Sequence, residues 1–283
     1  MSIRIAVIGS VNLDIVATGA TLPAPGETVT NAVLAQHPGG KGANQALAAR
    51  RLGAHVSLSA RVGRDANADA ALRLLREADV DLSALREDDE AATGVALIAV
   101  AASGENQIVV APGANATLTP DAMILPDADA LIMQLEIPLE TVSAAATAFT
   151  GFLALNLAPA ATLPVETLAR ADLIVVNEGE AAFYGDALHA ARGHVAITYG
   201  ARGAALFRAG GKRAEVAPPP ITPLDTTGAG DSFVAALTVA LLEKQPLEAA
   251  LRFACAAGAV TATRAGAQTS LPTRAEVEAI LAP

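Results

Sequence analysis

Asp225-Thr226-Thr227-Gly228-Ala229-Gly230-Asp231, running straight into Ser232-Phe233-Val234-Ala235-Ala236-Leu237, joins a glycine-rich turn to the start of an apolar helix. At such a junction the first backbone N–H groups lack intrahelical acceptors and the helix dipole is positive, so an anion is attracted. A carboxylate beside that seat can take the proton of a hydroxyl that attacks a bound phosphate. The combination suggests phosphoryl transfer to an alcohol. The competing reading is structural, because Asp is a strong helix cap and Gly-Ala-Gly is a common turn. The other segments have to decide.

Gly9-Ser10-Val11-Asn12-Leu13-Asp14 stands where a first strand ends, which places Asn12 and Asp14 at the mouth of an open parallel sheet. An Asp accepts hydroxyl protons and an Asn both donates and accepts, a pairing suited to a polyol. Gly39-Gly40-Lys41-Gly42-Ala43-Asn44-Gln45-Ala46 is a second glycine-rich entry to a helix. A Walker loop is excluded, because the glycine spacing differs and no Ser or Thr follows the Lys. A lysine in the first turn opposes the helix dipole, a local cost that function would explain. Gln134-Leu135-Glu136 and Asn177-Glu178-Gly179-Glu180 each follow a buried strand and bring carboxylates to the same rim. Such carboxylates can hold Mg²⁺, usually through waters. Thr198-Tyr199-Gly200-Ala201-Arg202-Gly203 reads as a turn between two strands.

The chain has 283 residues, 52% hydrophobic and 17% charged, enough for one principal domain with a small appendage. Aromatics are only 3%, so the core must be built of Ala, Leu, Val and Ile. A formal charge of −10 argues against nucleic acid or an anionic membrane as partner, yet not against a nucleotide, whose phosphates are recognised locally. The single cysteine, Cys255, rules out an intrachain disulfide framework and fits a reducing compartment. It sits in an Ala-rich helical stretch as a small packed residue. The histidines form no i, i+4 pair, so a zinc site is not expected. Ile5–Ile8 is too short for a signal-peptide core, and Arg252 and Arg264 bound the longest Ala-rich stretch, so a cytoplasmic protein without a membrane span is expected.

Positioning these groups requires alternating strands and helices, the mark of a three-layer α/β fold. Helical spacing covers Lys41 to Arg51, with Gly53 as its stop, and recurs at 66–78, 231–243, 247–263 and 274–281. Buried parallel strands are expected at 130–133, 152–155, 173–176 and 195–198, and an extended run at 55–62. Residues 12–37 and 93–111 break this rhythm; the second contains a hairpin signal, Ala102-Ser103-Gly104-Glu105-Asn106. Together they read as one small sheet able to cover a ligand, with an edge or face suited to a dimer contact. The expected division is therefore a core of 1–11, 38–92 and 112–283, and a β-sheet lid of 12–37 and 93–111. The alternative is a pair of extra antiparallel edge strands on the main sheet.

The motifs Gly9–Asp14, Gly39–Ala46, Gly113-Ala114-Asn115, Asn177–Glu180, Thr198–Gly203 and Asp225–Asp231 occur in this order along the chain. In order and rough spacing the chain resembles the ribokinase-like (PfkB) sugar kinases from about residue 3 to 273. The resemblance implies a three-layer α/β/α fold with a mostly parallel central sheet and a small β-sheet lid. It implies ATP-dependent phosphorylation of D-ribose at O5, with Asp231 as general base. Gly228, Ala229 and Gly230 would form the anion hole through their N–H groups. Asn12, Asp14, Gly40, Lys41, Asn44 and Glu136 match ribose-contacting positions. Asn177, Thr198, Gly200, Ala201 and Gly203 match nucleotide-site positions, with Cys255 near the adenine pocket, and Glu180 matches an acid tied to Mg²⁺ and phosphate. Asp225, Thr227, Thr261, Arg264, Gly266 and Ser270 match a monovalent-cation site, usually K⁺. The lid would also mediate a homodimer.

Three departures stand out. The segment Ala181 to Val195 is shorter than the family usually has, implying a trimmed or missing peripheral helix; Asn156-Leu157-Ala158-Pro159 has Leu where the family commonly shows Pro; and Cys255 stands where a larger polar residue is common. Rival readings are a kinase for another sugar or a nucleoside, and a non-catalytic sugar sensor on the same scaffold. A dinucleotide oxidoreductase is disfavoured, since no G-x-G-x-x-G follows the first strand.

Overall fold

A strand buried on both faces must be apolar at every position. In β1 (Arg4–Ile8), Ile5 and Val7 enter one core while Ala6 and Ile8 enter another on the opposite face. The computed structural model describes residues 3–209 and 211–282; residues 1, 2, 210 and 283 of the expected core lie outside that range. After β1 come β2 (Asn12–Gly19), β3 (Val33–Gly39), α1 (Lys41–Arg51), β4 (His55–Ser59), β5 (Arg61–Gly63) and α2 (Ala66–Glu77). Then follow β6 (Arg86–Asp88), β7 (Gly94–Ala101), β8 (Asn106–Ala111), β9 (Ala130–Met133), α3 (Leu139–Ala148) and β10 (Phe152–Asn156). The chain continues through α4 (Val165–Arg170), β11 (Leu173–Asn177), α5 (Glu178–Tyr184), β12 (His194–Thr198), β13 (Ala204–Arg208) and β14 (Gly211–Val216). It ends with α6 (Ala229–Leu242), α7 (Leu247–Ala262) and α8 (Arg274–Leu281).

The main sheet has eight strands in the order β14-β13-β12-β11-β10-β9-β1-β4. Its strands run parallel from β12 to β4, and β13 and β14 are added antiparallel at one edge. Helices α1, α6 and α7 pack on one face and α3 to α5 on the other. Small side chains set the first layer: Ala235, Ala236 and Ala240 of α6 and Ala250, Ala254 and Ala257 of α7 are all fully buried. With little bulk between them, these two helices lie close together, as the scarcity of aromatics requires.

The segments that break the βα rhythm form a separate four-stranded sheet, β3-β2-β7-β8, rather than extra edge strands on the main one. Its strand β8 is exposed along its whole length, and Val33, Leu34, Leu97, Ile108, Val109 and Val110 are all half or more exposed. The sheet grows out of the carboxyl end of β1, and one side chain holds that junction. Asn115, in a 3-10 turn after β8, accepts from Val11 N at 2.9 Å and donates to Val11 O at 3.1 Å and Asn12 Oδ1 at 2.7 Å. The expected strands and helices are present within a few residues. The segment 181–195 holds the end of the seven-residue α5 and a short 3-10 turn, Gly185–Ala190.

Replacing Asn115 by Ala strips three partners from buried groups at the root of the small sheet. We expect a loss of about 2 kcal/mol. Calorimetry should then find Tm lower by roughly 4–8 °C.

Candidate active site

Helix α6 begins two residues earlier than its apolar pattern suggests, which removes Asp231 from the N-cap position. The N-cap is Gly228, left-handed at φ 78°, with no side-chain cap, and Asp231 is the third residue of the first turn. Its carboxylate does not cap its own helix. It points across to α1, where Asn44 Nδ2 donates to Oδ2 at 2.8 Å and Gln45 Nε2 donates to Oδ1 at 2.9 Å. The Ala229 N–H is taken by Thr226 O at 3.2 Å, so of the expected anion hole Gly228 and Gly230 keep their donors free of chain acceptors among the described residues. The Asp231 N–H joins them there, since the first acceptor bond into the helix body is Ser232 N to Gly228 O.

Helix α1 starts at the opposite wall and its exposed donors are met by tertiary partners. Glu136 Oε2 accepts from Lys41 N at 3.0 Å and from the Ser10 hydroxyl at 2.5 Å, and Ser10 O accepts from Ala43 N at 2.9 Å. This needs glycine at the contact: a Cβ on Gly42 would stand 2.5 Å from Ser10 N, and one on Gly39 would stand 2.4 Å from Asp14 Oδ2. Asn12, Asp14, Gly40, Lys41, Asn44 and Glu136, drawn from three separate stretches of sequence, therefore converge beside Asp231. Asn44 is 5% exposed and its Oδ1 is a buried acceptor with no partner.

Charge is concentrated here. Burial alone would lower the Lys41 ammonium, but Asp231, Glu136, Glu180 and Asp14 hold it above the usual lysine value. Burial, reinforced by Glu136 and Asp231, pushes Asp14 up to about 7 against the pull of Lys41. Asp231 is also raised, by burial first, although Lys41 and the amides of Asn44 and Gln45 pull it down. The helix dipole alone suggests a depressed, weaker base; desolvation wins over it.

On the far side of Gly230 two cavities adjoin. One of about 230 Å³ is bounded by Lys41, Asn177, Glu180, Gly228 and Asp231. The next, about 410 Å³, takes in Thr198, Gly200, Ala201, Gly203 and Cys255, roofed by Pro218 to Ile221. Thr198, Thr226 and Gly230 line both, so a single ligand can run from one into the other. A polar cluster, a buried carboxylate, N–H groups without chain acceptors and a mostly apolar pocket thus adjoin one another.

The pfkB family carbohydrate kinase model matches residues 2–274. The chain is 39% identical to the ribokinase of Bacillus subtilis, over 98% of this chain and 99% of that one. Its fold superposes on the ribokinase of Thermotoga maritima with a TM-score of 0.89 at 33% identity, over 99% of both chains. With the Arabidopsis thaliana ribokinase, determined in complex with ribose and ATP, the TM-score is 0.87 at 30% identity, again over 99% of both. The chain belongs to the pfkB carbohydrate kinase family.

Other expected positions of this carbohydrate kinase are occupied with internal bonds. Asn177 Oδ1 accepts from Glu180 N and Glu180 Oε2 accepts from Asn177 N, each at 2.8 Å, a capping box at the start of α5. One Glu180 oxygen remains for the cavity. No group of three or more metal-ligating side chains occurs among the described residues, so a divalent ion would take most ligands from phosphate and water. Asp225 closes a separate loop: Oδ1 accepts from Thr227 N and its hydroxyl at 2.9 and 2.6 Å, and Oδ2 accepts from Gly266 N at 2.8 Å. Burial works against this carboxylate, but those donors hold it below the usual range. Thr261 and Ser270 turn their hydroxyls to backbone oxygens of Ala257 and Ala267, and Arg264 pairs with Glu276. Any cation here would be held by carbonyls, not by these side chains.

Sequence reading missed Ser10, Gln45, Asn115 and Asn156. Gln45 and Asn115 lie inside motifs already singled out, but their buried partners are distant in sequence. Cys255 is a packed thiol, pushed up to about 11 by burial, that contributes surface to the apolar pocket.

Asp14 gives a pH prediction with a definite sign. Its native carboxyl, at about 7, keeps a proton that the unfolded chain releases near 3.8. Its contribution to stability is therefore fully present below the unfolded value and is lost as pH rises towards 7. Thermal unfolding of Asp14→Asn should show a smaller fall in Tm across that window than the parent chain; equal slopes would contradict the assignment.

Proposed function

We propose that this chain transfers the γ-phosphoryl group of ATP to O5 of D-ribose, yielding D-ribose 5-phosphate, with Asp231 taking the hydroxyl proton. One observation carries the reading. The Asp231 carboxylate is buried, held by two amides from α1, and stands between the polar cluster and the free N–H groups of Gly228 and Gly230. The activity of the relatives supports ribose and ATP as the substrate pair.

In this scheme Asp14 and Glu136 accept sugar hydroxyls, Asn12 and Asn44 fill the remaining bonds, and Gly40 allows close approach. Lys41 supplies the positive charge that lets these carboxylates share one cleft. The Gly228–Gly230 turn, Ala229 included once Thr226 gives up its bond, receives the transferring phosphoryl. A strong base is unnecessary where the transition state is loose and in-line positioning does most of the work. Asn177, Thr198, Gly200, Ala201, Gly203 and Cys255 line the nucleotide's path. Mg²⁺ fits beside Glu180: four carboxylates surround a single ammonium, so a polyphosphate needs added positive charge to enter. K⁺ fits the loops of Asp225, Thr227, Thr261, Arg264, Gly266 and Ser270, where bound it would add positive charge next to the anion seat.

A homodimer through the small sheet is supported by its exposed apolar residues, Val33, Leu34 and Val109 foremost, each at 65% exposure or more. In that setting the sheet acts as a lid over the sugar. Among the described residues no helix is long and apolar enough to cross a membrane, and the single cysteine suits the cytoplasm. One observation favours nucleosides as a second acceptor class. Beyond Glu136 a cavity of about 400 Å³, bounded by Val110, Leu135, Ile137 and three prolines, leaves apolar room beside the sugar cluster.

Asp231→Asn should lower kcat by roughly 10²–10⁴-fold with little change in sugar KM; near-normal turnover would remove Asp231 from the role. A coupled assay of ADP release with ribose, other pentoses and nucleosides should show ribose preferred. Replacing K⁺ by Na⁺ in that assay should slow it. Val109→Glu should convert the dimer to monomer by light scattering, whereas an unchanged mass would retire the small sheet as the contact.

A further inference from the structure

Behind the Asp231 carboxylate lies a closed file of amides. Gln45 is fully buried; its Nε2 donates to Asp231 Oδ1 at 2.9 Å and to Asn156 Oδ1 at 3.0 Å. Its Oε1 accepts from Gln134 Nε2 at 2.6 Å, and Asn156 Nδ2 donates on to Val175 O at 3.2 Å. Gln134 is fully buried too, and its Oε1 has no partner.

The direction of this file follows from the chemistry of its first member. An ionised carboxylate only accepts, so Gln45 must present its NH₂ group to Asp231. Its carbonyl then faces Gln134, which must present NH₂ in turn. The last carbonyl is left over, and a buried acceptor without a donor is costly. Flipping the file would satisfy that oxygen only by turning the Gln45 carbonyl against the carboxylate. The end of the file also needs a glycine next to it: a Cβ on Gly9 would stand 2.1 Å from Gln134 Oε1.

We propose that Gln45 is a positioning residue for phosphoryl transfer, fixing the plane of the Asp231 carboxylate and keeping it ionised, with Gln134 locking the Gln45 amide in its donating orientation. Asn44 holds one carboxylate oxygen and Gln45 the other, so rotation of the group is blocked and one lone pair stays aimed at the cleft. Gln45 itself sits on the protein side of that carboxylate. It acts on the reaction through Asp231, and this role rests on Asp231 being the proton acceptor.

The test uses Gln45→Met and Gln134→Met, which keep length and bulk but remove the donors. The ionisation of Asp231 is followed in the sugar-free protein by ¹³C NMR of aspartate-labelled samples, with Asp231→Asn identifying the resonance. Gln45→Met should raise the Asp231 midpoint by about one pH unit, tenfold in the ionisation constant, because the ionised form loses a donor. The acidic limb of the pH–kcat profile should move upward with it. At the plateau kcat should fall by roughly 10–100-fold while sugar KM stays within about threefold. Gln134→Met should move both readouts in the same direction by a smaller amount.

An unmoved midpoint and limb in Gln45→Met, with only a lower Tm, would overturn the proposal and leave Gln45 as core packing. If Gln45→Met does not fold, Gln134→Met carries the test alone, and an unshifted midpoint there overturns it. A shifted midpoint in a protein that phosphorylates no ribose would sink the ribose reading and leave the hold of Gln45 on Asp231 standing.

Discussion

The structure turns on one contact between two helices that start on opposite walls of the cleft. Asn44 and Gln45 in the first turns of α1 reach the Asp231 carboxylate in the first turn of α6. Each helix brings a different set of groups. The start of α1 lies in a polar cluster, and the start of α6 keeps N–H groups free of chain acceptors among the described residues. Joining them through one buried carboxylate fixes the spacing between the polar cluster and the free N–H groups. It also explains why small residues crowd this region, since any bulk between α1 and the β1–β2 turn would push the two halves apart.

Electrostatics follow from that geometry. Carboxyl groups from β2, the β9–α3 loop, α5 and α6 meet around Lys41, more negative charge than one ammonium balances. Burial resolves part of the conflict by protonation, most visibly at Asp14. The remainder makes the cleft a cation-seeking place, which suits a nucleotide arriving with a divalent ion. The chain as a whole is acidic, which does not preclude a nucleotide, because backbone dipoles at a helix start can hold phosphate without a basic surface.

The small sheet is a second consequence of how β1 ends. The chain leaves the main sheet at Gly9, and Asn115 ties Val11 and Asn12 to the return from β8. The small sheet and the polar cluster beside Asp231 therefore share a root. A displacement of that sheet is felt directly at Asn12 and Asp14, which lie on its strand β2. Val33 and Leu34, left exposed on β3, pair with Thr18 and Ala17 at the other end of β2 from Asn12.

Much was legible from residues alone. Alternating apolar runs marked the strands and helices, because burial on two faces or on one stripe leaves a period in the sequence. Glycine-rich turns before α1 and α6 marked the cleft, because only glycine lets backbone come so close. What the sequence could not decide was which polar groups meet. Asp231 read equally well as a helix cap until its helix was seen to start at Ala229, with Gly228 as the cap. Asn177 and Glu180 line the cavity as expected, and the sequence did not show that they also bond to one another. Gln45 read as one more letter of a motif, and its partners lie 89, 111 and 186 positions away. Local periodicity is written along the chain, whereas hydrogen bonds between distant side chains exist only after the layers have packed and excluded water.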